Sequence, residues 1–226
     1  MIKGVIFDLD DTLISEKEYI KSGFKVVCNV ISEKYNLNFD KVYQKIFELF
    51  DEDSDYVFNR LLDCFNIEYD KDYILELLKI YRGHSPDISL YSDAEEILNY
   101  LVGENYKLGI ITDGYKITQN RKLESLDIDN YFDCIIITDE LGKDYWKPHK
   151  KPYKFCSKNL GVDYSSLIYV GDNIKKDFIT ANKLGMHTVQ IVREDGVYKD
   201  LDSLEESYKA DHVISDLNEM KEIYDL

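Results

Sequence analysis

The sequence predicts an α/β fold, a Rossmann-like doubly wound parallel sheet with an inserted all-helical cap domain. Three observations predict it. Short runs rich in β-branched residues, each closed by turn-forming residues, recur along the chain. Between them lie segments whose apolar residues return at helical spacing. One long block, from about Ser15 to Tyr81, is helical without any strand inside it. Alternating strand and helix argues for a parallel sheet covered on both faces. The helical block interrupts the first strand–helix unit, so residues 1–14 plus 84–226 are assigned to the α/β core and 15–83 to the cap.

Ile2–Phe7 reads as a buried strand, short, apolar and ended by aspartates. In the block that follows, Tyr19, Ile20, Phe24, Val27, Ile31 and Tyr35 mark a first helix. Three further sets, around Ile46, Leu61 and Leu77, bring the expected helices to about four. Ser92–Leu101 is a helix, with Ser92 and Glu95 as a candidate capping box and Gly103 as its stop. Then come a strand at Lys107–Thr112, a helix at Lys116–Leu126 and a strand at Cys134–Thr138. A helix at Pro152–Leu160 is closed by Gly161, and a strand follows at Leu167–Val170. A helix at Ile174–Leu184 is closed by Gly185. Strands at His187–Val192 and His212–Ile214 and a terminal helix complete the pattern.

Composition narrows the function. Of 226 residues, 44 are acidic and 28 basic, a formal charge of -16. Such a surface argues against a nucleic-acid or anionic-membrane partner. No apolar run is long enough to span a membrane, and no secretory segment is expected. The cysteines Cys28, Cys64, Cys134 and Cys156 form no C-x-x-C pair, so they read as buried reduced thiols, and a cytoplasmic setting is expected.

Ligands of an open parallel sheet bind at the carboxyl ends of its strands. The first strand delivers Asp8, Asp10, Asp11 and Thr12 there. The second delivers Thr112, Asp113 and Gly114, the segment after the third carries Lys147-Pro148, and the fourth delivers Gly171-Asp172-Asn173 with Asp177 beyond. A single aspartate at a strand end is usually a turn former or a cap. Four strand ends that together carry carboxylates, a hydroxyl and a lysine are harder to explain by structure alone. Asp8 and Asp172 would converge as hard oxygen ligands, a set that suits Mg2+ better than zinc. With a cation and Lys147 present, the pocket would be locally positive, and Thr112 with the backbone N–H groups of Asp113 and Gly114 would offer donors to a phosphate.

The four stretches F-D-L-D-D-T-L, T-D-G, W-K-P and G-D-N-I-K-K-D, in that order, resemble the motifs of the haloacid dehalogenase-like phosphohydrolase superfamily, with the helical block placed like its C1-type cap. The resemblance implies an aspartyl-phosphate mechanism. Asp8 would be the nucleophile, and Asp10 the general acid and then base, its carbonyl ligating Mg2+. Thr112 would bond a phosphoryl oxygen, with Asp113 and Gly114 beside it. Lys147 would offset negative charge. Asp172 would ligate the metal, and Asp177, counted with Asp8, Asp10 and Asp172 in the metal set, would orient Lys147 or a metal-bound water.

Other residues have simpler readings. Asp11 and Thr12 are expected to serve their own loop, and Asn173 to cap the helix beginning near Ile174. His149, Lys150 and Lys151 read as a solvated charge run, and Lys17, Lys21, Arg60 and Arg82 as surface cations. The leading function is a Mg2+-dependent hydrolase of a small phosphorylated metabolite. A β-phosphoglucomutase-like mutase and a dehalogenase remain as alternatives within the family. A receiver-like phosphoacceptor and a silent binding protein remain outside it.

Overall fold

A computed structural model of the chain describes residues 1–196 and 205–226. The chain divides into two compact units, one formed by Met1–Lys17 with Ile88–Leu226 and the other by Glu18–Asp87. Strand β1 (Gly4–Phe7) is followed by four helices, α1 (Glu16–Tyr35), α2 (Phe39–Glu52), α3 (Val57–Cys64) and α4 (Lys71–Gly83). Next come α5 (Ser92–Gly103), β2 (Lys107–Thr112), α6 (Lys116–Leu126), β3 (Cys134–Ile137), α7 (Thr138–Leu141) and α8 (Lys150–Leu160). The described chain finishes with β4 (Leu167–Gly171), α9 (Phe178–Leu184), β5 (His187–Ile191), β6 (His212–Ile214) and α10 (Met220–Tyr224).

The six strands form one parallel sheet in the order β3-β2-β1-β4-β5-β6. Every residue of β1 is buried, as its unbroken apolar run requires of a strand covered on both faces. Side chains alternate between the two faces. Val5, Phe7, Ile110 and Val170 pack with Leu98 and Leu101 of α5 and with Met220 of α10. Ile6, Ile111 and Tyr169 pack with Tyr153, Cys156 and Leu160 of α8 and with Phe178 of α9. Strand order reverses at β1, which has β2 on one side and β4 on the other. This switch point is where a doubly wound sheet opens a crevice.

The helical unit has its own core of Phe24, Val27, Ile31, Val42, Ile46, Leu61 and Leu77. The Phe24 ring meets Phe47, Phe50 and Phe58 edge-on. Asn38 and Asp70 cap α2 and α4 by accepting from the Lys41 and Tyr73 amides. Arg60 donates to the Leu49 and Asp53 carbonyls and pairs with Glu52, so it ties down the end of α2.

Several local expectations are corrected. Ser92 and Glu95 form no capping box. Tyr91 is the N-cap without a side-chain bond, and Ser92 is the first helical residue. Gly103 lies inside α5, and the left-handed residue beyond it is Asn105 (φ 63). The expected helix from Ile174 starts only at Phe178. Asn173 Oδ1 accepts from the Lys175 amide and closes a turn instead of capping that helix. Thr138 opens α7 and is not part of β3. Cys64 is exposed, whereas the other three thiols are buried. Among the described residues no helix is long and apolar enough to cross a membrane.

One buried ion pair anchors the loop after β1. Arg193 reaches Asp93 Oδ2 at 2.7 Å and the Thr12 carbonyl at 2.6 Å, and the Leu217 amide donates to the same Asp93 oxygen at 2.9 Å. Arg193→Met leaves Asp93 buried without its cation. It is expected to cost about 3–5 kcal/mol, read as a lower urea midpoint at unchanged slope. A midpoint equal to wild type would show that the pair carries no stability.

Candidate active site

The crevice at the switch point gathers groups from adjacent strand ends. Asp8 directly follows β1, Thr112 ends β2 and Asp172 directly follows β4. Lys147 arrives on the segment between α7 and α8, through a cis Lys147–Pro148 bond. All four side chains are buried.

Lys147 organises the centre. Its Nζ lies 2.8 Å from Asp8 Oδ2, 2.8 Å from Asp177 Oδ1 and 3.2 Å from the Tyr169 hydroxyl. Burial works against the ammonium, but Asp177, Asp8 and Asp113 together hold its pKa well above the usual lysine value. Asp8 is pushed up to about 6 by burial, with Lys147 opposing. Its Oδ1 accepts from the Leu9 amide at 2.8 Å, which fixes the carboxylate orientation.

Both Asp177 oxygens are engaged. Oδ1 takes Lys147 and the Tyr169 hydroxyl, and Oδ2 accepts from the Asn173 amide at 2.9 Å. That is the position of a support for Lys147 more than of an open metal ligand. Gly171 makes room for it, because a Cβ there would lie 2.6 Å from Asp177 Oδ2.

Asp172 is the contrast. Among the described residues no hydrogen bond or ion pair reaches its carboxylate, although its carbonyl accepts from Gln190. Burial first, then Asp8, Asp177 and Asp11, push it up to about 9. Asp8, Asp172 and Asp177 each offer an oxygen, and these atoms lie within 4.8 Å of one another. An all-oxygen set with one carboxylate left uncompensated has the chemistry of a hard divalent cation site.

Asp10 and Thr112 are joined by residues that the sequence reading did not single out. Lys122 Nζ, on a side chain only 2% exposed, lies 2.5 Å from Asp10 Oδ1. Gln119 Nε2 donates to Asp10 Oδ2 at 3.0 Å and to Thr112 Oγ1 at 2.5 Å. The Thr112 oxygen therefore acts as acceptor toward Gln119, which leaves its proton for a ligand. Both Gln119 and Lys122 share the buried face of α6 with Leu123. Polar residues where helical periodicity calls for apolar ones were the signal. Glu16 was also missed. Burial, then Asp10, push it up to about 7, against the pull of Lys122.

The remaining candidates sort by geometry. The Asp113 carboxylate accepts from Thr138 Oγ1 at 2.7 Å and from the Lys147 amide at 3.0 Å, and pairs with Lys176 at 3.3 Å. It thus holds the Lys147 segment, and only its backbone is left for a ligand. Gly114 (φ 139) turns the chain there, and a Cβ would press on Gln119 at 3.0 Å. Asp11 (φ 50) takes the expected loop role, its Oδ1 accepting from the Glu16 amide at 2.9 Å. Thr12 departs from expectation. Its buried Oγ1 has no hydrogen-bond partner among the described residues, and it is its carbonyl that is bonded. His149 Nδ1 accepts from the Lys151 amide at the start of α8, and Lys151 lies over the Tyr145 ring, so neither is purely solvated.

Comparison with known proteins gives the family of the chain. The family model described as haloacid dehalogenase-like hydrolase matches residues 5–191. A glyceraldehyde 3-phosphate phosphatase of Methanocaldococcus jannaschii is 34% identical, over 99% of this chain and 97% of its own. One of Pyrococcus furiosus is 33% identical, over 98% and 92%. The crystal structure of a HAD phosphatase from Thermococcus onnurineus superposes with a TM-score of 0.63 at 26% identity, covering 98% of this chain and 97% of the other. With the motif residues gathered at one switch point and these likenesses spanning nearly its whole length, the chain belongs to the haloacid dehalogenase-like hydrolase family and is one of its phosphatases.

Proposed function

We propose that this phosphatase hydrolyses the monoester of a small phosphorylated metabolite through an aspartyl-phosphate on Asp8, with Mg2+ as its cofactor. The observation that carries the reading is the Lys147 bridge. It holds the Asp8 carboxylate at the end of β1 beside an uncompensated Asp172, with Asp10 two residues on. The relatives from M. jannaschii and P. furiosus make glyceraldehyde 3-phosphate the first substrate to try.

In this reading an Asp8 oxygen attacks phosphorus and the ester P–O bond breaks. The leaving oxygen takes its proton from the Asp10 carboxyl. Thr112 and the backbone N–H groups of Asp113 and Gly114 hold the equatorial phosphoryl oxygens, and Lys147 balances charge on Asp8 and on the group in transit. Asp10, now a carboxylate, takes a proton from water as the water oxygen attacks phosphorus, and the Asp8–phosphorus bond breaks to restore the carboxylate. Asp8, Asp172 and the Asp10 carbonyl would hold Mg2+, which when bound supplies charge neutralisation for the phosphoryl oxygens. Asp177 keeps Lys147 in place. The helical block carries none of these groups and is assigned substrate choice as a cap.

The decisive experiment follows water's oxygen. One turnover in heavy-oxygen water is expected to label the released phosphate and leave the Asp8 peptide unlabelled by mass spectrometry. Label in that peptide would indicate attack at the carboxyl carbon, as in a dehalogenase, and would sink the phosphatase mechanism.

Asp8→Asn is expected to abolish turnover, since an amide cannot attack phosphorus. Asp11→Asn is expected to keep much of it, because asparagine tolerates the left-handed backbone and can still accept from the Glu16 amide. Equal loss in both, with intact circular dichroism, would place Asp11 in the chemistry.

Metal and pH are linked through Asp172. Without metal, the folded chain keeps a proton that the unfolded chain releases near 3.8, so this group's contribution to stability falls as pH rises towards about 9. Mg2+ needs the ionised carboxylate and offsets that loss. The rise in melting temperature on adding Mg2+ to chelator-stripped protein is expected to be larger at about pH 8 than at about pH 5.5. A shift that shrinks with rising pH would contradict the assignment of Asp172 to the metal.

A further inference from the structure

We infer that Lys122 and Gln119, on one turn of α6, are positioning residues that hold the Asp10 carboxyl at its working place. The inference rests on the reading of Asp10 as the acid and base of a phosphatase.

Each Asp10 oxygen is met by one of the two. Lys122 Nζ is 2.5 Å from Oδ1, and Gln119 Nε2 is 3.0 Å from Oδ2. The Asp10 side chain is 19% exposed, so the carboxyl is open on one side and gripped on the other. Two oxygens bonded to two residues one helical turn apart fix both the position of the carboxyl and the rotation of its plane. Gln119 also donates to Thr112 Oγ1 at 2.5 Å. A single side chain therefore sets the distance between the proton carrier on β1's loop and the hydroxyl at the end of β2.

Stability is a weak explanation for this arrangement. A lysine buried in a helix face shared with Leu123 loses hydration, and a pair of this kind is often replaced by apolar residues without loss. Here the buried ammonium is aimed at the one carboxylate that must sit within proton-transfer reach of the leaving oxygen. Misplacement of such a group by about 1 Å is enough to cost about 100-fold in rate. Lys147 cannot take over this task, since it is engaged by Asp8 and Asp177.

Because the two residues act through Asp10, their effect should follow the need for a general acid. An alkyl phosphate expels a basic alkoxide and needs the proton, whereas p-nitrophenyl phosphate expels a stable aryloxide and needs it much less. Wild type, Lys122→Met and Lys122→Arg are compared on p-nitrophenyl phosphate and on the best alkyl phosphate from a panel that includes glyceraldehyde 3-phosphate. Lys122→Met is expected to lower kcat/KM, which reports the step in which the leaving group departs, by about 10- to 100-fold on the alkyl ester and by much less on the aryl ester. Lys122→Arg should recover part of the loss. Gln119→Leu should show the same split more weakly.

The double variant Asp10→Asn with Lys122→Met removes both charges, so it tests the coupling even should Lys122→Met alone not fold. With Asp10 already changed, losing Lys122 is expected to have no further effect on aryl phosphate hydrolysis. Equal losses of kcat/KM on both esters, or additive losses in the double variant, would overturn the proposal while leaving the phosphatase reading standing. A wild-type protein inert toward every ester would instead overturn that reading, and the proposal with it.

Discussion

The site depends on one buried cation. Lys147 brings a positive charge into a space closed to water, where an unpaired ammonium would be far too costly. Asp8 and Asp177 supply the countercharge, each at 2.8 Å, and the Tyr169 hydroxyl adds a third contact at 3.2 Å. Each partner is fixed in turn. The Leu9 amide holds Asp8, and the Asn173 amide holds Asp177. The Tyr153 hydroxyl donates to the Asp177 carbonyl at 2.9 Å, which ties α8 to the loop before α9. Gly171 must lack a side chain for Asp177 to come so near. Three segments distant in sequence are thereby locked around one ammonium.

That lock leaves the charge count unbalanced. Lys147 stands between two carboxylates, and Asp172 adds another beside them whose carboxylate meets no ion pair or hydrogen bond among the described residues. Burial first, and then this excess of negative charge, pushes the Asp172 pKa up. The same excess is what would attract a divalent cation and then a phosphate. Repulsion among carboxylates is thus kept close to tolerable by Lys147, and the remainder is available for ligand binding.

The switch point explains why so few segments suffice. β1 lies between β2 and β4, so the chain leaves the sheet in opposite directions on its two sides and a crevice opens above its carboxyl end. Asp8, Thr112 and Asp172 all fall there without any special loop. α6 then reaches back over the crevice through Gln119 and Lys122, and the loop after β1 is secured from the far side by Arg193 on the Thr12 carbonyl.

The sequence by itself determined the alternation of strands and helices, and with it a parallel sheet. Two-sided burial writes an unbroken apolar run, as in Val5-Ile6-Phe7, and an amphipathic helix writes a 3.6-residue period. It also determined which residues would stand at the strand ends, because strand ends are local. Helix starts were less legible. Ser92 carries the residue type of a cap, but its neighbour Asp93 is drawn into the Arg193 pair and the helix begins around it. Only the tertiary structure decided which way each side chain at the crevice faces. Asp177 is expected from the sequence to orient Lys147 or a metal-bound water, and the fold gives it Lys147, while the Asp113 carboxylate turns to the Lys147 amide, because a buried lysine segment needs partners from wherever the fold can bring them. Gln119 and Lys122 stand out in the sequence only as polar residues where the helical period of α6 calls for apolar ones. Their partner Asp10 lies more than a hundred residues away in the chain, and no local pattern records a contact made across that distance.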